Sequence, residues 1–219
     1  MKNKLVGFLA MALLCGPIAA NAAEIFASTT FTLLRGTFPG NFPGQFYGGS
    51  LIGGFPVVLT NAQARASVLG APDDQFLSLP GGPGVTGTAF QGAYIEVGFG
   101  TNFGPNTTLN IWETGYSGES AQLFLWTNVG GNIQPVVTTN ASGEISLDLS
   151  VYAPILAAMG ATSFTKVGIG GLDQLGASAG FDLDAVSIKV PEPATIALTG
   201  LGLLVFGMLY RRRIVRARI

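Results

Sequence analysis

Short segments of alternating apolar and polar residues recur through the middle of this chain, and they restrict the folds open to it. Residues 94–99 place Ile95, Val97 and Phe99 on one face and Glu96 on the other. Clusters of Gly, Pro and Asn separate ten such candidate strands, a pattern typical of an all-β sandwich or barrel. The candidates are residues 31–34, 57–59, 76–79, 94–99, 109–112, 121–127, 133–137, 144–149, 164–169 and 181–188.

We therefore predict that residues 24–190 form one domain, an all-β single β-sandwich of the jelly-roll type. Residues 151–159 form the stretch for which a short helix is expected. Residues 37–50 contain a repeated Phe-Pro-Gly, and a loop is expected there because proline and glycine weaken strands.

The aromatic side chains of that loop have two interpretations. They are candidates for stacking on sugar rings, or they pack the loop against the sandwich. The candidates for sugar contact are Phe42, Phe46 and Tyr47.

Residues 1–23 have the three parts of a secretory signal peptide. Lys2 and Lys4 precede an uncharged apolar run over residues 5–15, and Ala20-Asn21-Ala22 fits a cleavage site. The apolar run is too short to cross about 30 Å of hydrocarbon at about 1.5 Å per residue. Export is therefore predicted, and cleavage removes Cys15, the one cysteine of the sequence.

Three parts also follow one another in residues 191–219. The tripeptide Pro191-Glu192-Pro193 is extended, because each proline restricts the residue before it. Residues 194–210 are uncharged, and their length is at the lower end for a transmembrane helix. The basic cluster after them stays cytoplasmic by the positive-inside rule, which places the body across the membrane. Its arginines are Arg211, Arg212, Arg213, Arg216 and Arg218.

This tail resembles the PEP-CTERM sorting signal, in which a Pro-Glu-Pro motif, a transmembrane helix and an Arg-rich end follow in this order. The resemblance implies recognition by an exosortase, an intramembrane cysteine protease, and cleavage near the motif. It also implies a Gram-negative host that makes exopolysaccharide, and a protein that ends at the cell surface or outside the cell. A plain membrane anchor is the alternative.

Composition excludes several kinds of chemistry. The sequence contains no histidine and a single cysteine, so it builds neither a Ser-His-Asp or Cys-His nucleophile system nor a His- or Cys-rich zinc site. Residues 24–190 carry four basic and eleven acidic side chains. A net charge of −7 disfavours nucleic acid, whose phosphates require Lys and Arg, and is better suited to cations.

Carboxylates remain as the candidate metal ligands. Asp182 and Asp184 are two residues apart and so face one side of a strand, which they share with Val186 and Ile188. Oxygen ligands suit Ca²⁺, and we predict a structural calcium site whose ligands are Asp73, Asp182 and Asp184. The alternative is that these acids cap turns and keep strand surfaces soluble.

Glu96, Glu113 and Glu119 are the glutamates in or beside strands that a carboxylate-based glycosidase would use. We expect these glutamates to face solvent instead, and the protein not to be an enzyme.

A second resemblance covers about 120 residues of the body. Residues 66–79 have the sequence ASVLGAPDDQFLSL, and residues 180–188 have GFDLDAVSI. They are similar to bacterial secreted domains with an ALGAPDG motif and a closing GFDLDAV strand, within the galactose-binding-like, discoidin-like jelly rolls. Val68 and Asp74 depart from that pattern. The resemblance implies the fold and no particular ligand.

The expected function is that of an exported, exosortase-processed, non-catalytic protein of the cell surface or extracellular matrix, associated with exopolysaccharide in a biofilm. A carbohydrate-binding module and a glycosidase acting on the exopolysaccharide are the alternatives.

Overall fold

The structure is a computed structural model of the chain, and it describes residues 22–36, 45–50, 57–81, 85–86, 89–114, 118–173, 179–191 and 202. Glu24–Val190 form one compact unit, and Met1–Ala23 with Pro191–Ile219 form a second. The predicted signal peptide and the predicted transmembrane helix at 194–210 lie almost wholly outside the described residues. Within the described ranges, no helix is long and apolar enough to cross a bilayer.

Strands dominate the unit Glu24–Val190. In chain order they are β1 (Ala23–Phe26), β2 (Thr29–Leu34), β3 (Phe46–Ser50), β4 (Val57–Leu59), β5 (Gln75–Leu79), β6 (Val85–Thr86), β7 (Ala89–Phe90), β8 (Tyr94–Gly98), β9 (Thr108–Glu113), β10 (Ser120–Val129), β11 (Asn132–Ser142), β12 (Ile145–Asp148), β13 (Lys166–Gly171) and β14 (Phe181–Val190). Each of the ten predicted segments overlaps one of these strands, so the alternation correctly indicated a mainly β protein.

Two larger sheets form the body, as expected for a β-sandwich. In the first sheet the order is β12-β9-β14-β5-β3-β4, with β1 also paired to β14. In the second sheet the order is β11-β10-β13-β8-β2. The short strands β6 and β7 pair with each other. This arrangement is compatible with a jelly roll.

One hydrophobic core draws on both sheets. The second sheet contributes Ile95, Val97, Leu123 and Leu125, which are fully buried. The first sheet contributes the side chains of the same alternating pattern on β5, β9 and β14. The inward residues of the first sheet are Leu77, Leu79, Leu109, Ile111, Val186 and Ile188.

The helices are short. Helix α1 (Asn61–Ala66) begins with a capping box, in which the Thr60 hydroxyl accepts from the Gln63 backbone N–H and the Gln63 side chain accepts from the Thr60 N–H. No helix was predicted at α1, although Thr60 and Gln63 have the spacing of that motif. A 3₁₀ turn (Leu149–Tyr152) leads into α2 (Ala153–Ala158), where a helix was predicted.

Strand β3 corrects the predicted loop at 37–50. Residues 37–44 lie outside the described residues, but Tyr47–Ser50 pair with β5 on one side, and Phe46–Gly48 pair with β4 on the other. A Cβ atom at Gly48 would lie 2.0 Å from the carbonyl oxygen of Phe76. Gly48 therefore allows β3 and β5 to approach closely, and its presence does not indicate a loop.

A bulge in β14 corrects the predicted face of the two aspartates. Leu183 pairs with Glu113 and Ala185 with Trp112, so Asp184 is the extra residue of the bulge. The alternation changes phase at this point: Phe181 and Leu183 enter the core before it, and Val186 and Ile188 after it. The acids therefore do not share a face with those aliphatic residues.

Candidate functional site

Asp184 lies beneath the turn between α1 and β5. Its Oδ1 accepts from the backbone N–H of Asp73 at 3.2 Å, and its Oδ2 accepts from the N–H of Asp74 at 3.2 Å and from Thr114 Oγ1 at 3.1 Å. Asp184 is 4% exposed, and burial raises its pKa even though these three donors favour the carboxylate. The bulge thus supplies a buried acceptor that fixes the turn.

The turn itself has an unusual backbone. Asp74 has a φ of 63°, in the left-handed region that favours Gly or Asn. The Asp73 carboxylate accepts from the Gln75 N–H at 3.0 Å, which closes the turn onto β5. Both aspartate side chains are exposed, so the turn presents two carboxylates from a rigid base.

Asp182 is held separately from Asp184. Its Oδ1 accepts from Ser78 Oγ at 2.6 Å, and these two residues are directly paired across β14 and β5. Its backbone N–H donates to Glu119 Oε2 at 3.3 Å. Asp182 is 3% exposed, so a neighbouring hydroxyl stabilises this buried acid.

Glu113 and Glu119 form a carboxyl pair at the joint between β9 and β10. Their side chains hydrogen-bond to each other, and burial raises the pKa of both. Burial, followed by the charges of Asp182 and Glu113, raises the pKa of Glu119 to about 9. At neutral pH Glu119 therefore carries a proton, which lets two acids lie side by side. The expectation that these glutamates face solvent is wrong for Glu119, which is 2% exposed.

The predicted calcium ligands do not converge. Asp73 approaches Asp184 through its backbone, whereas the Asp182 carboxylate contacts Ser78. In the part of the chain that the structure describes, no three acidic, histidine or cysteine residues meet in an arrangement that holds a metal ion. Calcium binding stays a prediction, and the described residues contain no site at which three carboxylates meet.

Glu96 lies in a different environment on the second sheet. Its Oε2 forms an ion pair of 2.7 Å with Lys166 Nζ, and its Oε1 accepts from Tyr94 Oη at 3.1 Å. Burial opposes its ionisation, but the hydrogen bonds from Lys166 and Thr32 outweigh it and lower its pKa. The expectation of a solvent-facing Glu96 is also wrong, because it is 3% exposed.

Two aromatic rings lie beside the ammonium group of this ion pair. Lys166 Nζ lies 4.6 Å from the centre of the Trp126 ring and 5.6 Å from that of Phe31. Trp126 Nε1 donates to Tyr94 Oη at 3.0 Å. Burial, and then the charge of Glu96, raises the pKa of Tyr94. No pattern in the sequence indicated this network, because its members lie on four strands, β2, β8, β10 and β13, that only the fold brings together.

The predicted sugar-contact aromatics have different positions. Phe42 lies outside the described residues. Phe46 is 4% exposed and belongs to the core, with the Arg35 guanidinium 4.9 Å from its ring centre, so it packs as the alternative interpretation expected. Tyr47 is half-buried and its hydroxyl donates to Gln45 Oε1 at 2.6 Å.

The sorting sequence begins where the sandwich ends. Strand β14 lies between β9 and β5 and runs to Val190, and the exposed Pro191 follows directly. Glu192, Pro193 and the predicted tail anchor Arg211, Arg212 and Arg213 lie outside the described residues.

Comparison with protein families identifies this segment. Residues 189–213 match the PEP-CTERM protein-sorting motif, which confirms the resemblance inferred from the tail. The motif is that of an exported protein with a membrane-associated precursor, processed by an exosortase for the cell surface. No curated protein and no solved structure matches the chain.

Proposed function

We propose that this chain is a non-catalytic protein of the cell surface or extracellular matrix, retained by the exopolysaccharide of a Gram-negative biofilm after exosortase processing. The observation that carries the proposal is the PEP-CTERM motif at residues 189–213. It begins at the end of β14, so cleavage near Pro193 leaves every described strand in the released body.

The strand orders support a jelly roll for that body. In the first sheet β5, β14, β9 and β12 are neighbours in this order, and in the second β8, β13, β10 and β11 are neighbours. Consecutive strands such as β8 and β9, or β13 and β14, therefore lie in opposite sheets. Two groups of four neighbouring strands, connected in this way, have the strand order of the double Greek key of a jelly roll.

The environment of the glutamates supports a non-catalytic role. Glu113 and Glu119 hydrogen-bond directly to each other, whereas a glycosidase separates its two carboxyl groups by about 5–10 Å to admit the sugar or water. Glu96 is already neutralised by Lys166 at 2.7 Å. The interactions of Glu96 and Glu119 with protein groups support a structural role, whereas Glu113 Oε1 is buried without a hydrogen-bond partner among the described residues.

Processing is tested by intact-mass measurement on the protein from its host. We expect a mass that ends near residue 193, and a variant with Pro191, Glu192 and Pro193 all changed to Ala that keeps the tail. A native protein that still contains residues 211–219 would show a simple anchor.

Association with the exopolysaccharide is tested by fractionating host cells that make it and cells whose synthesis is blocked. The proposal expects the protein in the matrix of the first cells and in the culture medium of the second. The same distribution in both would contradict the proposal. Release of reducing sugar from purified matrix, lost in Glu113→Gln or Glu119→Gln, would favour the glycosidase.

A further inference from the structure

A cleft of about 460 Å³ opens beside the Asp73 turn, at the edge where β3, β4 and α1 meet. This volume is within the range of about 300–1,000 Å³ typical of small-molecule sites. The cleft is separate from the Glu113 and Glu119 pair and from the Glu96 ion pair, whose residues are not among its lining.

Polar residues line part of the cleft. They include Asp73, Gln75, Gln63 and Ser67. Asp73 Oδ1 accepts from the Gln75 N–H at 3.0 Å, which leaves its Oδ2 as an acceptor that no described residue engages. Gln63 uses its Oε1 in the capping box of α1, and its amide nitrogen retains two donors.

The position of Asp73 is set from below. The buried Asp184 carboxylate holds the N–H groups of both Asp73 and Asp74, and Asp74 adopts its left-handed φ of 63° in the same turn. Backbone strain of this kind persists where the surroundings fix it, and it is common at binding sites. The turn is therefore held in place before any ligand arrives.

Part of the lining is aliphatic. Val57, Leu59 and Ala66 contribute it, and Val57 is 46% exposed. A lining that combines a carboxylate, carboxamides and a hydroxyl with aliphatic side chains matches the surface of a sugar ring, which carries hydroxyls at its rim and C–H groups on its faces. None of the described lining residues is Lys or Arg, so an anionic sugar would meet Asp73 without a counter-charge.

We propose that this cleft binds a neutral saccharide unit, with Asp73 accepting from a pair of sugar hydroxyls. This inference rests on the proposed association with an exopolysaccharide, and it assigns the contact to one place on the fold. Asp184 is a positioning residue in this assignment, because it touches the turn and not the sugar.

The test is calorimetric titration of the exported protein, purified from cells that express the full chain. The probes are neutral glucose, galactose and mannose trisaccharides and, for comparison, a trigalacturonate. We expect at least one neutral trisaccharide to bind and the trigalacturonate to bind more weakly. Asp73→Asn should weaken binding about tenfold or more, because it removes a charged acceptor.

Two further variants separate binding from folding. Asp74→Asn removes the same charge from the same turn outside the cleft lining, and Asn tolerates the left-handed φ, so its affinity should equal that of the wild type. Ala66→Phe fills the cleft from an exposed position and should abolish binding with an unchanged melting temperature.

Absence of binding by all three neutral trisaccharides would overturn the inference. Equal weakening in Asp73→Asn and Asp74→Asn, or preferred binding of trigalacturonate, would also overturn it. If Ala66→Phe is retained in the matrix at the wild-type level, the cleft is not the site that binds the matrix, and the proposed function still stands. If the wild-type protein is absent from the matrix, the proposed function is contradicted. The titration would then still test whether the cleft binds a saccharide.

Discussion

Buried carboxylates in two parts of this sandwich are stabilised in opposite ways. On the second sheet Glu96 keeps its charge, because Lys166 lies 2.7 Å away and lowers its pKa. At the joint between the sheets Glu119 has acidic neighbours, and its pKa is raised to about 9. Both side chains are almost completely buried, at 3% and 2% exposure.

The difference shows that burial alone does not determine the charge of an acid. Burial disfavours the charged form of both residues, and the sign of the neighbouring groups then decides the outcome. Asp184 lies between the two cases, since three hydrogen-bond donors contact it and its pKa is still raised. The same residue type thus serves as an ion-pair partner, a neutral acid and a backbone acceptor.

The largest expected effect comes from removing the cation beside Glu96. Lys166→Met leaves a buried carboxylate without its counter-charge, which destabilises by about 3–5 kcal/mol when one partner of a buried pair is lost. Thermal unfolding followed by circular dichroism should show a large fall in melting temperature. The double variant Lys166→Met with Glu96→Gln should recover most of it, and a single variant as stable as the wild type would contradict the role of the pair.

The next effect is a pH dependence that separates the two glutamates. The ordinary pKa of Glu119 is 4.5 and the folded value is about 9, so the unfolded chain releases this proton first as pH rises. The free energy of unfolding therefore falls between about pH 4.5 and 9, by at most about 1.4 kcal/mol per pH unit. Urea unfolding at several pH values should show a flatter profile in Glu119→Gln.

Glu96→Gln is the matched control for that profile. The folded pKa of Glu96 is lowered, so its stabilisation is present above its ordinary pKa and is lost as pH falls through the folded value. This variant should be less stable than the wild type at neutral pH, and the difference should shrink in acid. If both variants change the pH dependence of the free energy of unfolding in the same direction, the proposed difference between Glu96 and Glu119 is contradicted.

A smaller effect is expected at the turn beneath the cleft. Asp184→Asn replaces one acceptor oxygen by an amide nitrogen, so one of the donors from Asp73, Asp74 or Thr114 loses its partner. We expect a loss of about 1–2 kcal/mol in urea unfolding. Asp74→Asn, exposed in the same turn, should change stability by less than about 0.5 kcal/mol. Equal effects of the two changes would argue against the buried anchor.

The smallest effect is expected from removing calcium. Protein donors already engage both oxygens of Asp184 and one of Asp182. Chelation should therefore leave the melting temperature almost unchanged. A bound ion at a hundred times its dissociation constant would add about 2.7 kcal/mol, and its loss would lower the melting temperature by several degrees. A shift of that size would restore the predicted calcium site.

The sequence indicated much of the fold and little of the site. A strand is present at each of the ten segments where alternation predicted one. Alternation is a reliable signal because the burial of one face acts on each strand separately. It missed β3, where the close approach of β5 requires Gly48, and it missed α1, whose capping box was present in the sequence. Glu96 and Lys166 were both recognised on strands, but their pairing depends on which strands become neighbours.

By itself the sequence determined the sorting motif at residues 189–213, the absence of histidine and the mainly β character of the body. These features are local, so they need no knowledge of which segments meet. Only the tertiary structure decided that a bulge at Asp184 changes the phase of β14, that Lys166 neutralises Glu96 and that Glu119 pairs with Glu113. Strand order and register bring these groups together from distant parts of the chain, and their charges are set by the neighbours they find there.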